Sequence, residues 1–206
     1  FGLRESAESP VTEDEIKVLI EQGINAGVFV ETERDMVERI FHLADRRVSE
    51  LMVPRTSMVW LNIDDSPEEL RATISGSAHS RFPVAQESPD NILGVVQIKN
   101  LWAQNLDHRQ IDLKAALEKP LFLPEGTHAF KALEAFRQAR TPIALVVDEH
   151  GGIEGLVTLN DILEAIVGVM PEPGETVEPL FTRREDGSYL IDGALPITDL
   201  DRKSTR

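Results

Sequence analysis

Gly155-Leu156-Val157-Thr158-Leu159-Asn160-Asp161 is the stretch on which the reading of this chain turns. It ends an apolar, strand-like run and opens a helix. Earlier in the chain, Gly94-Val95-Val96-Gln97-Ile98-Lys99-Asn100 has the same form at the same spacing. A chain that repeats a strand-to-helix junction is repeating a structural unit. Outward from each junction the same elements recur in the same order. The first unit reads as a strand at Met58 to Leu61, a helix capped at Ser66-Pro67-Glu68-Glu69, and a strand at Phe82-Pro83-Val84-Ala85. A turn at Ser88-Pro89-Asp90-Asn91, a strand at Leu93 to Val96 and a helix from Lys99 complete it. The second reads as a strand at Leu121 to Leu123 and a helix over Thr127 to Ala139 with Phe130, Leu133 and Phe136 on one face. A buried strand at Ile143 to Val147, a turn at Asp148 to Gly152, a strand at Ile153 to Val157 and a helix from Leu159 to Val167 follow.

The order strand, helix, strand, strand, helix therefore occurs twice. Each unit is too small to cover both faces of its own sheet, so the two are expected to pack sheet to sheet in an α/β (α+β) fold. Ahead of them, Thr12 and Glu15 form a capping-box pattern for a helix with Ile16, Leu19 and Ile20 as its stripe and Gly23 as its stop. A second leading helix begins at Thr32, with Met36, Val37, Ile40 and Phe41 on one side. After Gly168 the composition turns to the linker Met170-Pro171-Glu172-Pro173-Gly174-Glu175. Beyond it come a turn at Arg184 to Ser188, a strand at Tyr189 to Ile191 and the start of a helix at Leu195 to Leu200. About thirty residues cannot make an independent core, so the chain is expected to stop inside a further domain and to be a piece of something longer. The expected division is 1–47 linker and leading helices, 48–107 first repeat, 108–170 second repeat, and 171–206 linker and truncated further domain.

Composition narrows the function. The 206 residues carry a net charge of −15, which argues against nucleic acid as a partner, because a phosphate-binding surface needs clustered Lys and Arg. A local basic pocket can still hold one small anion. With no cysteine, disulfides, thiolate metal sites and a Cys nucleophile are excluded. No run approaches the roughly 20 apolar residues of a membrane-spanning helix. The five histidines, His42, His79, His108, His128 and His150, show no pair at metal-ligand spacing, and no nucleophile elbow or Gly-rich phosphate loop occurs. His150 at a hairpin tip is the best catalytic candidate, and a solvated turn explains it as well. No enzyme is expected.

One constellation could bind a ligand. Thr158 and Asp161 place a hydroxyl and a carboxylate together at a helix N-terminus, where amide groups favour an anion and the carboxylate can accept both hydroxyls of a ribose. The same pair is also an ordinary capping box. The first unit has Gln97 and Asn100 at these positions, so only the second offers the ribose-type pair. Ser80-Arg81-Phe82-Pro83-Val84 adds a cation and an apolar wall, suited to phosphate and adenine.

Val48-Ser49-Glu50-Leu51-Met52-Val53-Pro54-Arg55, His79-Ser80-Arg81-Phe82-Pro83-Val84 and Val147-Asp148-Glu149-His150-Gly151-Gly152-Ile153-Glu154-Gly155-Leu156-Val157-Thr158 together resemble the paired CBS domains of the CorC/HlyC hemolysin-like proteins, relatives of the cyclin-M magnesium transporters. The resemblance runs from about Thr12 to Leu200. It implies tandem β-α-β-β-α repeats, a homodimer of such pairs, and an adenine nucleotide (ATP or AMP, with or without Mg²⁺) bound between them. It also implies a place on the cytoplasmic side of the inner membrane, as the soluble part of a protein whose membrane domain moves an ion of the Mg²⁺/Co²⁺ type. Carried over residue by residue, the nucleotide site is Val53, Pro54, Arg55, Arg81, Phe82, Pro83, Thr158 and Asp161. In it Thr158 and Asp161 hold the ribose, Phe82 and Val53 the base, and Arg81 or Arg55 the phosphates. Val53 stands where many relatives have Thr, and Asn160 where an acid is common. The mirror site, with Thr141-Pro142-Ile143, Gln97 and Asn100, is expected to be weaker or empty. The competing expectation is a dimerisation or protein-interaction module with no ligand.

Overall fold

The computed structural model describes residues 11–105, 112–168, 181–183 and 188–191. The chain divides into two compact units, Phe1–Gly168 and Val169–Arg206. The expected N-terminal tail, the linker at 170–175, the turn at 184–188 except for Ser188, and the helix at 195–200 lie outside the described residues.

Helix α1 (Glu13–Asn25) opens with the expected box: Thr12 Oγ1 accepts from the Glu15 N–H at 3.3 Å and the Glu15 carboxylate from the Thr12 N–H at 3.0 Å. The helix runs past Gly23 to Asn25. Gly23 is there because the Phe29 ring packs where its side chain would be, with Cε2 at 2.9 Å from the Cβ position. Helix α2 (Glu31–Asp45) starts before Thr32, since the Glu33 carboxylate already accepts from the Val30 N–H at 3.0 Å.

The first repeat is entered through β1 (Val53–Pro54), then β2 (Leu61–Asn62), α3 (Pro67–Ser75), β3 (Arg81–Gln86), β4 (Ser88–Gln97) and α4 (Ile98–Asn105). A short helix, α5 (Leu113–Ala116), leads to the second: β5 (Phe122–Pro124), α6 (Ala129–Ala139), β6 (Ile143–Val147), β7 (Ile153–Thr158) and α7 (Leu159–Val167). Two sheets result, in the orders β2-β3-β4 and β1-β7-β6-β5. Within each repeat the first strand runs parallel and the last antiparallel to the middle one. The second unit contains the antiparallel hairpin β8 (Phe181–Arg183) and β9 (Tyr189–Ile191).

Each sheet has a helix-side core. Leu61, Phe82, Val84 and Val96 pack with Leu70, Leu101, Leu113 and Ala116 in the first repeat. In the second, Leu123, Ala144, Val146 and Val157 pack with Ala129, Ala132, Phe136 and Ile162, and Leu43 of α2 joins them. The other faces meet: Met58, Trp60 and Ile92 of the first repeat cluster with Leu145, Val147, Ile153 and Leu156 of the second. The expected sheet-to-sheet packing of tandem repeats is the observed architecture.

Local differences have local causes. Met58 to Trp60 do not form a strand, because pairing with β3 starts only at Leu61 and Met58 is buried against the other repeat instead. The reversal expected at Ser88 to Asn91 falls at Glu87, which takes a φ of 62°, and Ser88 is already paired with Gln86. In α6 Phe136 is buried and Leu133 packs against the core as expected, with Ala129 and Ala132 buried beside them, while Phe130 is 42% exposed and lies off that face.

The sequence reading missed an exchange between the repeats. β1 pairs with β7, Val53 opposite Leu156 and Pro54 opposite Gly155, and so completes the second repeat's sheet. Symmetrically, Glu118 bridges back to Val95 of β4, with N–H···O distances of 3.0 and 2.8 Å. Gly155 and Gly94 occupy matching places because each is crossed by that exchanged segment. A Cβ on Gly155 would meet the Val53 carbonyl, and one on Gly94 would lie 2.9 Å from the Glu118 carbonyl oxygen. A glycine inside a strand marks such an approach, and its recurrence in both repeats was the available signal.

Candidate functional site

Thr158 and Asp161 stand where β7 becomes α7. Thr158 is extended (φ −113°, ψ 163°) and its Oγ1 accepts from the Asp161 N–H at 3.2 Å. Asp161 Oδ2 accepts from the Thr158 N–H at 2.7 Å. Both residues are half-buried. The capping box is formed, yet it does not exhaust the pair, since an ionised carboxylate has about four acceptor positions over two oxygens. The box fixes the carboxylate's orientation and leaves acceptor capacity for a ligand.

β1 brings Val53, half-buried, and Pro54, exposed, beside the last residues of β7, just before Thr158. Arg55 follows and donates from Nη2 to Asp90 Oδ2 of β4 at 2.5 Å, with the two side chains 40% and 54% exposed. It therefore already has a carboxylate partner. In this exposed setting the pair contributes on the order of 1 kcal/mol or less.

Arg81, Phe82 and Pro83 open β3, opposite Gln97, Val96 and Val95 of β4. Alternation sends Arg81 and Pro83 to the face away from Phe82 and Val84. Phe82 is fully buried in the helix-side core with the His79 ring edge-on to it at 6.1 Å. The expectation that Phe82 walls an adenine is corrected accordingly: its side chain stabilises the first repeat, by about 2–3 kcal/mol for a buried aromatic. Pro83 is also fully buried. Arg81 is half-buried, and among the described residues its Nε is a buried side-chain polar atom with no hydrogen-bond partner. A buried guanidinium N–H without an acceptor is costly, and such groups occur where something else supplies the acceptor.

The fold thus gathers Val53, Pro54, Thr158 and Asp161 at one end of the second sheet. Arg81 stands on the inter-repeat face of the first. His150 is exposed at its hairpin tip, where its N–H donates to Asp148 Oδ1 at 2.8 Å. Among the described residues no group of three His, Cys, Asp or Glu side chains is placed to hold a metal ion. No described helix is long and apolar enough to cross a membrane. An apolar groove along α1, lined by Val11, Val18 and Leu19 beside Asp14 and Glu15, contains none of these site residues.

Two strand-helix-strand-strand-helix repeats, joined face to face and exchanging their leading segments, define a CBS-domain protein, and the family model for the CBS domain matches residues 112–168. The structure is similar to the CBS domain of a bacterial CNNM/CorC family Mg²⁺ transporter, at 34% identity and a TM-score of 0.68, covering 79% of this chain and 99% of that one. The chain belongs to that family of CBS domains. A second structure of that kind, solved in complex with ATP, is 37% identical with a TM-score of 0.60, covering 67% of this chain and 99% of that one. A CBS-domain pair with bound AMP from Klebsiella pneumoniae is 31% identical with a TM-score of 0.55, covering 59% and 98%. Among curated relatives, a UPF0053 protein of Synechocystis sp. is 48% identical over 199 residues, 97% of this chain and 44% of that protein. The polyamine export protein of Escherichia coli K12 is 30% identical over 204 residues, 98% and 45%. The chain spans less than half the length of these two relatives.

Proposed function

We propose that this chain is a regulatory CBS pair that binds one adenine nucleotide between its repeats and controls an attached membrane transport domain. The observation that supports this most directly is the buried Arg81 Nε without an acceptor, on the inter-repeat face. Phosphate oxygens would satisfy it, while Thr158 and Asp161 hold the ribose and Val53 and Pro54 line the base. Arg55 would contribute only by exchanging Asp90 for phosphate. The neighbours bound to ATP and AMP support the ligand class. With no metal-binding cluster among the described residues, any Mg²⁺ would arrive on the phosphates.

In the longer protein this reading assigns 48–107 and 108–170 to the repeats, 1–47 to the connection from a membrane domain, and 171–206 to the start of a further domain. The module sits on the cytoplasmic side of the inner membrane. The cargo is a cation, the class shared by the Mg²⁺ transporter neighbour and the polyamine exporter relative. Two chains pair through exposed apolar side chains such as Trp102, 61% exposed on α4. Nucleotide acts by favouring one arrangement of the repeats, which α2 transmits from its packing on the second repeat.

A thermal-shift titration with ATP, ADP and AMP, each with and without Mg²⁺, tests the binding. A native-state ligand must raise the melting temperature. No shift at millimolar nucleotide would leave the second reading, a ligand-free dimerisation module, which the completed Thr158–Asp161 box and the Arg55–Asp90 pair favour.

A further inference from the structure

Taking the inter-repeat face as the nucleotide site, as proposed above, we infer that Asp90 is a built-in competitor of the nucleotide. It occupies Arg55, and a tie between the repeats must break before Arg55 can meet a phosphate.

The pair crosses from one sheet to the other. Val53 stands opposite Leu156 in the β1–β7 ladder, so their side chains share a face. Leu156 belongs to the apolar cluster that joins the repeats. Arg55 follows two residues on, at the start of the short turn Arg55–Ser57. From the end of β1, in the second repeat's sheet, it reaches Asp90 on β4 of the first. β4 is shaped to present that carboxylate. Ala85 of β3 pairs with Ile92 and Gln86 with Ser88, which leaves positions 89–91 with no counterpart. A bulge of this kind turns a side chain out of the ladder. Ser88 then fixes it, since Ser88 Oγ donates to Asp90 Oδ2 at 3.1 Å and accepts from the Asp90 N–H at 3.3 Å.

The two cations of this face are therefore in opposite states. Arg81 has a buried N–H with no acceptor, so a ligand oxygen there is a net gain. Arg55 already holds a charge-assisted bond, and phosphate can only replace it. The exchange costs what the ion pair is worth. With side chains 40% and 54% exposed, that is a few-fold in affinity, up to about fivefold. A polyphosphate can overcome such a pair, and the effect is still large enough to measure. By linkage, binding loosens the tie between β1 and β4 by the same factor that the tie weakens binding.

Calorimetric titration of the 206-residue chain with ATP, with and without Mg²⁺, tests this. Asp90→Asn is expected to tighten ATP binding about two- to fivefold in both conditions. The same substitution in an Arg55→Met background should change nothing, because no cation is left to release. Glu87→Gln, which removes a carboxylate from the same hairpin, should also leave the affinity unchanged. Circular dichroism certifies folding, and Asp90→Ala gives a second route to a free Arg55. Unchanged ATP affinity in both folded Asp90 variants would overturn the inference. So would equal tightening in the Arg55→Met background or by Glu87→Gln, since net charge alone would then be the cause. Weaker binding of Mg²⁺-ATP by Asp90→Asn would make Asp90 a support of the ligand and overturn it as well. In each of these cases the nucleotide reading stands, because the unaltered chain binds ATP. No binding by either the unaltered chain or Asp90→Asn would remove the nucleotide reading and the competitor with it.

Discussion

Arg39 Nη1 donates to the carbonyl oxygen of Val167 at 2.6 Å, tying the middle of α2 to the last residue of α7. The opposite end of α7 is the Thr158–Asp161 box. One short helix therefore has the candidate site at its N-terminus and the leading segment at its C-terminus. A guanidinium on a terminal helix carbonyl satisfies an orphan acceptor and complements the dipole. Gly168, at φ 93°, lets the chain leave beneath it, with Arg39 Nη2 3.2 Å from its Cβ position.

Arg39→Met keeps the apolar stem and removes the donor. It is expected to lower stability by about 0.5–1.5 kcal/mol in urea unfolding. Amide exchange should speed up in the last turn of α7 and in α2, with little change in β2 to β4. Uniform acceleration across both repeats would show that the contact is not local.

Much of this fold was legible because the repeat is written in short-range patterns. Ser66-Pro67-Glu68-Glu69 marks a helix start by local chemistry alone, and the Ser66–Glu69 bonds are formed at 2.8 and 3.3 Å. The sheet assignment of Val53–Pro54 was not legible, because pairing a two-residue strand with a partner a hundred residues on leaves no periodicity in the sequence. Phe82 was misplaced for a related reason. A buried strand reads as continuously apolar, so neither face is distinguishable until the helices that cover one of them are in view.

Gly155→Ala should be costly. Its Cβ would collide with the Val53 backbone, which cannot move without breaking the β1–β7 pairing. A loss of about 1–3 kcal/mol is expected from such overpacking. In the nucleotide reading, ATP stabilisation should fall as well, since Val53 and Pro54 are displaced. Gly151→Ala makes a useful contrast: nothing lies within 4 Å, and only its φ of 85° opposes the change. Equal unfolding midpoints for the unaltered chain and Gly155→Ala would contradict the crossing.

Acid should act on the hairpin between β6 and β7. The Gly152 N–H, at 2.7 Å from Asp148 Oδ1, holds the Asp148 carboxyl below its ordinary value of 3.8, and the His150 N–H adds to this. Because the folded value is depressed, the stability it contributes is full above the unfolded value and is lost as pH falls through the folded one. Asp148→Asn should therefore destabilise the protein near neutral pH and make progressively less difference below about pH 4. Urea unfolding of both proteins across that range measures it. A gap between them that stays constant down to pH 2 would show that the carboxylate's charge is not what the turn from Asp148 to Gly152 uses.

The decisive variants separate a cap from a ligand site. Asp161→Ala and Ser66→Ala each remove one half of a capping box at the start of a nine-residue helix, and each is expected to cost about 1 kcal/mol. If Thr158 and Asp161 only cap α7, the two variants should differ from the unaltered chain by similar amounts, with and without ATP. If Asp161 also holds ribose, its variant loses the ATP-dependent rise in melting temperature, whereas Ser66→Ala keeps it on a lowered baseline. Arg81→Met extends the comparison. It removes a buried N–H that has no acceptor, so it should leave the free protein as stable or more so, while weakening ATP binding about tenfold or more through loss of a charge-assisted contact. A variant that destabilises the free protein yet binds ATP normally would mean that Arg81 stabilises the fold and that the phosphates lie elsewhere.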